Sequence, residues 1–292
     1  MQLGRRTGGS VSPHVTELVP LQRATKLGWL AFTPGGQLVG GHNQDDRSWI
    51  LHWESLEKEP LGICNVAGEV SDLTPAPASA RVAFVGTPRR GIGYRASDPS
   101  TLYVLDLRTR RCTTIATSTN ELWIGRVPSP RWLHDERAIE ISVLRPRPGL
   151  RRRWFLQRYD IAKRRCIFER EEPEPVRPNE LRAPDGEYIV QAGPRKLAIC
   201  GPAGMRTVTL NRRPYTAFVE KLFGLRAVWW SGHRLVGHWM EQLPVLDLST
   251  GMMRPLVPPV AADGAWADPH GTGVVVRILD RKGPQWLWGM QA

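Results

Sequence analysis

The sequence predicts an all-β chain: six units of four antiparallel strands, assembled as a β-propeller. Three observations carry that expectation. A turn-then-strand word returns six times along the 292 residues. The words recur at roughly 40–55 residues per unit, the period of propeller blades. Helical spacing of apolar residues is scarce, while 28 Gly and 25 Pro are spread along the chain, as many turns and short strands require.

The first word of each unit is TPGGQLVGGH (33–42), APASARVAFVG (76–86), WLHDERAIEIS (132–142), APDGEYIVQA (183–192), WWSGHRLVGH (229–238) or DPHGTGVVVR (268–277). Small or polar turn residues come first, and an alternating apolar strand follows. The next word is SWILHWES (48–55), TLYVLDLR (101–108), WFLQRYDI (154–161), RKLAICGP (195–202), LPVLDLST (243–250) or QWLWGMQA (285–292). Three of these place an aspartate alike: Asp106, Asp160 and Asp247. Most are followed by one more short strand, RCTTIAT, RCIFERE, MRTVTL or MRPLVP, and RTRRC (108–112) and AKRRC (162–166) are near copies.

The sixth unit stops at Ala292 after three strands. The segment HVTELVPL (14–21) has strand composition and precedes the first unit. It is expected to supply the missing outer strand and latch the ends of the chain together, removing an open sheet edge. The alternative is seven blades with one degenerate, since the third and fifth units are long. The chain reads as a single propeller domain over 1–292, with 1–13 a flexible tail.

The words resemble the WD40-like β-propeller repeat family, the PD40 repeats of TolB-type proteins. APDGEYIVQ, TPGGQLVGG and DPHGTGVVV carry the hairpin word, and LYVLDLRT and LPVLDLST the third strand. The resemblance implies a fold rather than an activity. The second unit departs from it with Ala-Ser-Ala where Asp-Gly is expected, and the third with His-Asp-Glu.

The net charge is +12, and 34 of the 40 basic residues are Arg. A positive balance of this size points to an acidic protein or a nucleic acid as partner, or to base composition alone. The 41% hydrophobic share is enough for a core, which excludes wholesale disorder. No stretch approaches the roughly 20 apolar residues that span a bilayer, so no membrane partner is expected. The opening MQLGRRTGGSVSPHV lacks the apolar run of a secretory signal, and a cytoplasmic protein is expected. Cys64, Cys112, Cys166 and Cys200 form no zinc-type pair and read as reduced, buried thiols, with Cys112 and Cys166 in the same place in successive units.

In a propeller the loops between second and third strands share one rim. Here they are read as 41–48, 86–100, 144–153, 192–195, 238–243 and 280–284. Two of them, GTPRRGIGYRASDPS and LRPRPGLRRR, hold most of the cations. The candidate binding residues are Arg89, Arg90, Tyr94, Arg95, Arg145, Arg147, Arg151, Arg152, Arg153 and Trp154. Guanidinium forks match carboxylates and phosphates, and Tyr94 and Trp154 add stacking surfaces. REEPEPVRPNE (170–180) lies on the same rim, where Glu171, Glu172 and Glu174 can pair with these cations. Most of the twelve Trp read as packing between blades. His42 with Asp45 and Asp46 reads as a polar loop before a cation site, and His233 and His238 face opposite sides of a strand.

These readings favour a non-catalytic scaffold or recognition module that binds a protein through its Arg-rich rim. No cofactor, metal or catalytic residue is assigned. One alternative is a nucleic-acid-binding accessory subunit using the same rim. The other is a hydrolase or lyase with an axial pocket.

Overall fold

A computed structural model of the chain describes residues 18–21, 27–44, 47–87, 99–118, 122–123, 130–145, 153–173, 180–182, 187–192, 196–209, 227–229, 233–237, 244–255, 262–268, 270, 273–280 and 283–290. All regular elements among the described residues are strands, and they form six antiparallel sheets in two compact units. The first strand, β1 (Val19–Pro20), belongs to the unit that also holds the C-terminal half.

The unit spanning Gln22–Arg177 contains three sheets. β2 (Leu27–Phe32), β3 (Leu38–Gln44), β4 (Arg47–Trp53) and β5 (Leu61–Ala67) pair in chain order. β6 (Glu69–Pro75), β7 (Arg81–Thr87), β8 (Thr101–Asp106) and β9 (Arg111–Thr117) do the same. In the third sheet β10 (Leu122–Trp123) and β11 (Arg131–Trp132) both pair with β12 (Ala138–Arg145), and β13 (Arg153–Asp160) and β14 (Arg165–Glu172) follow. The expected first strand is thus split in two. The intervening sequence carries Pro128 and Pro130, which have no N–H to give to a ladder.

Packing explains the composition of these strands. Val39, Ile50 and Val66 of the first sheet bury against Val70, Val82, Phe84 and Leu105 of the second. The other face of the second sheet, with Ala83, Val85, Leu102, Val104 and Ile115, buries against Ile139, Ile141, Val143 and Tyr159 of the third. The middle sheet is covered on both faces, so β7 is an unbroken apolar run from Val82 to Val85 rather than an alternation. The outermost strand β14 is exposed along nearly its whole length and reads RCIFEREE.

The second unit repeats the construction. β15 (Glu180–Arg182), β16 (Ile189–Ala192), β17 (Lys196–Gly201) and β18 (Gly204–Thr209) form one sheet. β19 (Ala227–Trp229), β20 (Arg234–Gly237), β21 (Pro244–Asp247) and β22 (Met253–Pro255) form the next. Val190, Leu197 and Ile199 pack on Leu235, Leu246 and Leu248. β23 (Ala262–Ala267), β24 (Gly273–Asp280) and β25 (Gly283–Met290) form the last, whose Val274, Val276 and Ile278 pack on Val236 and Val245.

That last sheet receives its fourth strand from the N-terminal segment. β1 pairs with β25, Val19 opposite Trp288 and Pro20 opposite Leu287, and the Leu21 N–H donates to the Trp286 carbonyl at 2.9 Å. Proline is tolerated there because β1 is the outer strand, with no further ladder to serve. Residues 14–17 of the expected latch lie outside the described residues.

The repeated aspartates close the hairpins between third and fourth strands. Asp106 accepts the N–H groups of Arg108 and Thr109 at 2.9 and 3.0 Å, Asp160 that of Lys163 at 2.7 Å, and Asp247 those of Ser249 and Thr250 at 2.9 and 3.0 Å. Four residues after each aspartate the backbone turns left-handed: Arg110 at φ 54°, Arg164 at φ 52° and Gly251 at φ 72°. The side chain thus holds a turn that an L-residue resists.

Two departures from the repeat meet each other. Glu136 stands in the third unit's hairpin turn at φ 54°, where the first unit has Gly36 at φ 77°. Its carboxylate accepts the N–H groups of Ala78 and Ser79, at 2.5 and 3.1 Å, in the atypical turn of the second unit. Arg81 donates to the same carboxylate at 2.8 Å and to the Glu136 carbonyl at 3.1 Å, and lies 5.0 Å from the centre of the Trp132 ring. The Trp132 indole N–H donates to the Thr74 carbonyl at 2.8 Å. Burial opposes ionisation of Glu136, but the donors from Ser79, Arg81 and Ala78 outweigh it and hold its pKa at about 2.

Some sequence expectations change. The stretch 41–48 is not a loop, because β3 runs to Gln44 and β4 begins at Arg47. His42 lies within β3 opposite Trp49, and Asp45 and Asp46 lie outside the described residues. Trp53, Trp132, Trp286 and Trp288 are buried as packing residues, whereas Trp29 and Trp49 are exposed. The four thiols are not uniformly buried: Cys166 is exposed, because it sits on the uncovered β14.

Two stability measurements follow. Glu136→Gln should lower the unfolding free energy by about 1.5–3 kcal/mol, the range for hydrogen bonds to a charged group. A carboxyl held at about 2 rather than 4.5 stabilises fully above pH 4.5 and loses that contribution as the pH falls toward 2. Acid titration of the wild type, but not of the variant, should therefore show this loss. Separately, Gly251→Ala should cost about 1 kcal/mol in chemical denaturation through its left-handed backbone, while Arg164→Gly should cost nothing.

Candidate functional site

The β12–β13 hairpin and the outer strand β14 gather the Arg-rich candidates that the structure describes. Alternation divides their side chains between two faces. One face begins apolar, with Ile139, Ile141 and Val143 in the core shared with the second sheet. It turns ionic at the end of the hairpin, where Arg145 and Arg153 stand directly opposite each other. Two like charges in cross-strand register repel. Strand β14 answers with Glu169 and Glu171, two residues apart and so on one face.

Arg145 makes a two-pronged contact with Glu169, at 2.8 and 2.5 Å, and Arg153 donates to Glu171 at 2.9 Å. The Arg145 guanidinium also lies 4.3 Å from the centre of the Phe155 ring. Gln157 donates to Glu169 at 2.7 Å and accepts the Tyr159 hydroxyl at 2.7 Å, which ties the ionic end to the core. The hydrogen bond from Arg145 holds the Glu169 carboxyl below its usual range, against burial.

The opposite face carries a second charged row. Arg131, Glu140, Arg158 and Phe168 are successive cross-strand neighbours on β11, β12, β13 and β14. Glu140 is 3% exposed and accepts from both arginines. Burial opposes its charge, and the two guanidiniums still hold its carboxyl below the ordinary range. Arg158 lies 5.2 Å from the Phe168 ring centre. Trp154 is half-buried on this face, opposite Leu144 and Glu172.

Of the sequence candidates, Arg145, Arg153 and Trp154 fall on described residues, and they divide between the two faces. Arg89, Arg90, Tyr94, Arg95, Arg147, Arg151 and Arg152 lie outside the described residues, as does Glu174. Their anchor points are clear. The hairpin turns of the second and third sheets meet through Glu136, Ala78 and Ser79. β7 and β12 both start from those turns, so their far ends, Thr87 and Arg145, lie at the same opposite edge of the two packed sheets. The residues that follow, PRRGIGYRASDPS after Thr87 and PRPGLRR after Arg145, carry six Arg and one Asp. The described arginines of the hairpin contact Glu171, Glu169 and the ring of Phe155: the sequence flagged the first as a counter-charge and gave no sign of the other two.

The chain is similar to TolB and to peptidase β-propellers of known structure. TolB from Acinetobacter baumannii shares 13% identity at a TM-score of 0.44, over 91% of this chain and 63% of that one. An acylaminoacyl peptidase from Pyrococcus horikoshii shares 13% at 0.43, over 94% of this chain and 48% of that one. The β-propeller domain of the Trilobed protease from Pyrococcus furiosus, reported to have an open velcro topology, shares 15% at 0.40, over 96% and 82%. The chain thus spans less than two thirds of TolB and about half of the peptidase. No family model and no curated protein matches the chain.

If Glu169 and Glu171 quench the two arginines at the hairpin base, then Glu169→Gln with Glu171→Gln should make the protein elute from a sulfated-polysaccharide column at higher salt. Arg145 and Glu169 are each about a third exposed, so the stability cost should stay near 1 kcal/mol per pair. Unchanged elution would show that the pairing does not set the local potential.

Proposed function

We propose that the six sheets are the blades of one six-bladed ring closed by β1, and that the ring is a non-catalytic platform in the cytoplasm that binds an acidic protein surface. Support for the ring comes from six chain-ordered sheets, from face-to-face packing within each unit, and from an N-terminal strand that completes the C-terminal sheet. The observation that carries the binding reading is the shared edge of β7 and β12. From it leave two connections with six Arg against one Asp, one of them on a stem braced by Arg145–Glu169 and Arg153–Glu171.

Bracing matters because binding loses affinity for every group it must order. A stem fixed by ion pairs and by the Arg145–Phe155 contact leaves fewer residues to immobilise. Guanidiniums beyond it can then pair with carboxylates as planar forks.

The test is capture of partners on the tagged full-length chain, identified by mass spectrometry. Arg147→Glu, Arg151→Glu and Arg152→Glu together should remove the specific partner, with the thermal midpoint within about 2 °C of wild type, since surface changes clear of such pairs usually stay within ±0.5 kcal/mol. Arg153 is left in place because reversing it would set a carboxylate against Glu171. Undiminished capture would reject the surface. Binding that is instead to nucleic acid and falls steeply with salt would assign the same edge to that alternative partner.

A further inference from the structure

Cys64 and Cys112 lie on the outer strands of neighbouring sheets in one unit. Cys64 pairs across its ladder with Ile50, and Cys112 with Leu105. Ile50 and Leu105 both belong to the core between the first and second sheets, so each thiol points at the other sheet. Cross-strand partners share a face, which is why the register turns both sulfurs toward the same core. Both thiols pack on that core, and their strands β5 and β9 are in contact. Both are half-buried, within reach of small solutes.

We propose that Cys64 and Cys112 form a reversible disulfide that staples the first sheet to the second, with a low-molecular-weight disulfide as oxidant. The two thiols differ, and that difference sets the order of events. The neighbouring Cys112 sulfur, with burial, pushes the Cys64 thiol up. The Cys112 thiol is lowered by its Cys64 neighbour, against burial. Cys112 therefore supplies the first thiolate, its proton passing to solvent.

That thiolate attacks one sulfur of the small disulfide, whose S–S bond breaks as one small thiolate leaves with the electron pair. The product is a mixed disulfide at Cys112. Cys64 then gives its proton to solvent and attacks the Cys112 sulfur, and the second small thiolate leaves. Two protein thiols are oxidised, one small disulfide is reduced to two thiols, and the protons are returned to the two leaving groups. Cys166 occupies the same place on β14 but faces solvent, and serves as an internal control.

The experiment treats the native full-length chain with oxidised glutathione and maps its peptides without reduction. The expected result is a Cys64–Cys112 cross-link, an intact mass lower by two hydrogens apart from any adduct at Cys166, and reversal by dithiothreitol. The thermal midpoint of the oxidised form should rise by roughly 5–10 °C, because the bond closes a long loop. Cys64→Ser and Cys112→Ser should each abolish the rise. The wild-type peptide map decides the matter even if a variant folds poorly. Persistent glutathionylation of Cys112 without the cross-link, or a cross-link that forms only after denaturation, would overturn the proposal.

Discussion

A four-stranded antiparallel sheet cannot cover its own faces, and that constraint organises the chain. Each sheet buries one face on the sheet before it and the other on the sheet after it wherever the packing is described, as the two faces of the second sheet show. Position in the stack then dictates composition. A strand covered on both sides can be apolar without interruption, as β7 is, whereas β14, the outermost strand of its sheet, is exposed and largely charged. The turns inherit their task from the same requirement, because stacking brings the hairpins of adjacent sheets within hydrogen-bonding reach.

The strand words were legible because alternation and turn chemistry are local. Thr33 shows it well: its N–H and carbonyl close the turn around Gly36, and its hydroxyl accepts the Gln37 N–H at 3.2 Å. The latch was legible too, since an unpaired final sheet and a spare strand at the other end imply each other. What local pattern could not reveal was why the second and third units break the repeat. Ala78 and Glu136 are 58 residues apart, and each departure makes sense only beside the other. A glutamate replaces the turn glycine because its carboxylate serves the neighbouring turn, and the hydrogen bonds it gains offset the left-handed backbone it must adopt.

Charge was the least legible property. The Arg excess is plain in the composition, but a guanidinium contributes to a surface potential only to the extent that its partner does not cancel it. Arg153, Arg131 and Arg158 answer to glutamates on adjoining strands, and Arg145 reaches across β13 to Glu169 on β14. Those pairings follow from cross-strand register, which a one-residue bulge between Arg158 and Tyr159 resets. Cys112 and Cys166 make the same point: equal places in the repeat, yet one meets a thiol across a sheet interface and the other meets water.

The hairpin of the third sheet thus divides its arginines by depth. Those at the base, held by Glu169 and Glu171, contribute position rather than attraction, because their charge is already answered. The connection beyond carries three Arg and no acidic residue between Pro146 and Arg152. An anionic partner gains most from cations that are not otherwise paired, and loses least when the strands beneath them are already fixed. Ionic pairing in the stem therefore fixes the two strand ends from which the connection leaves, and on the proposed reading the arginines of that connection supply the attraction.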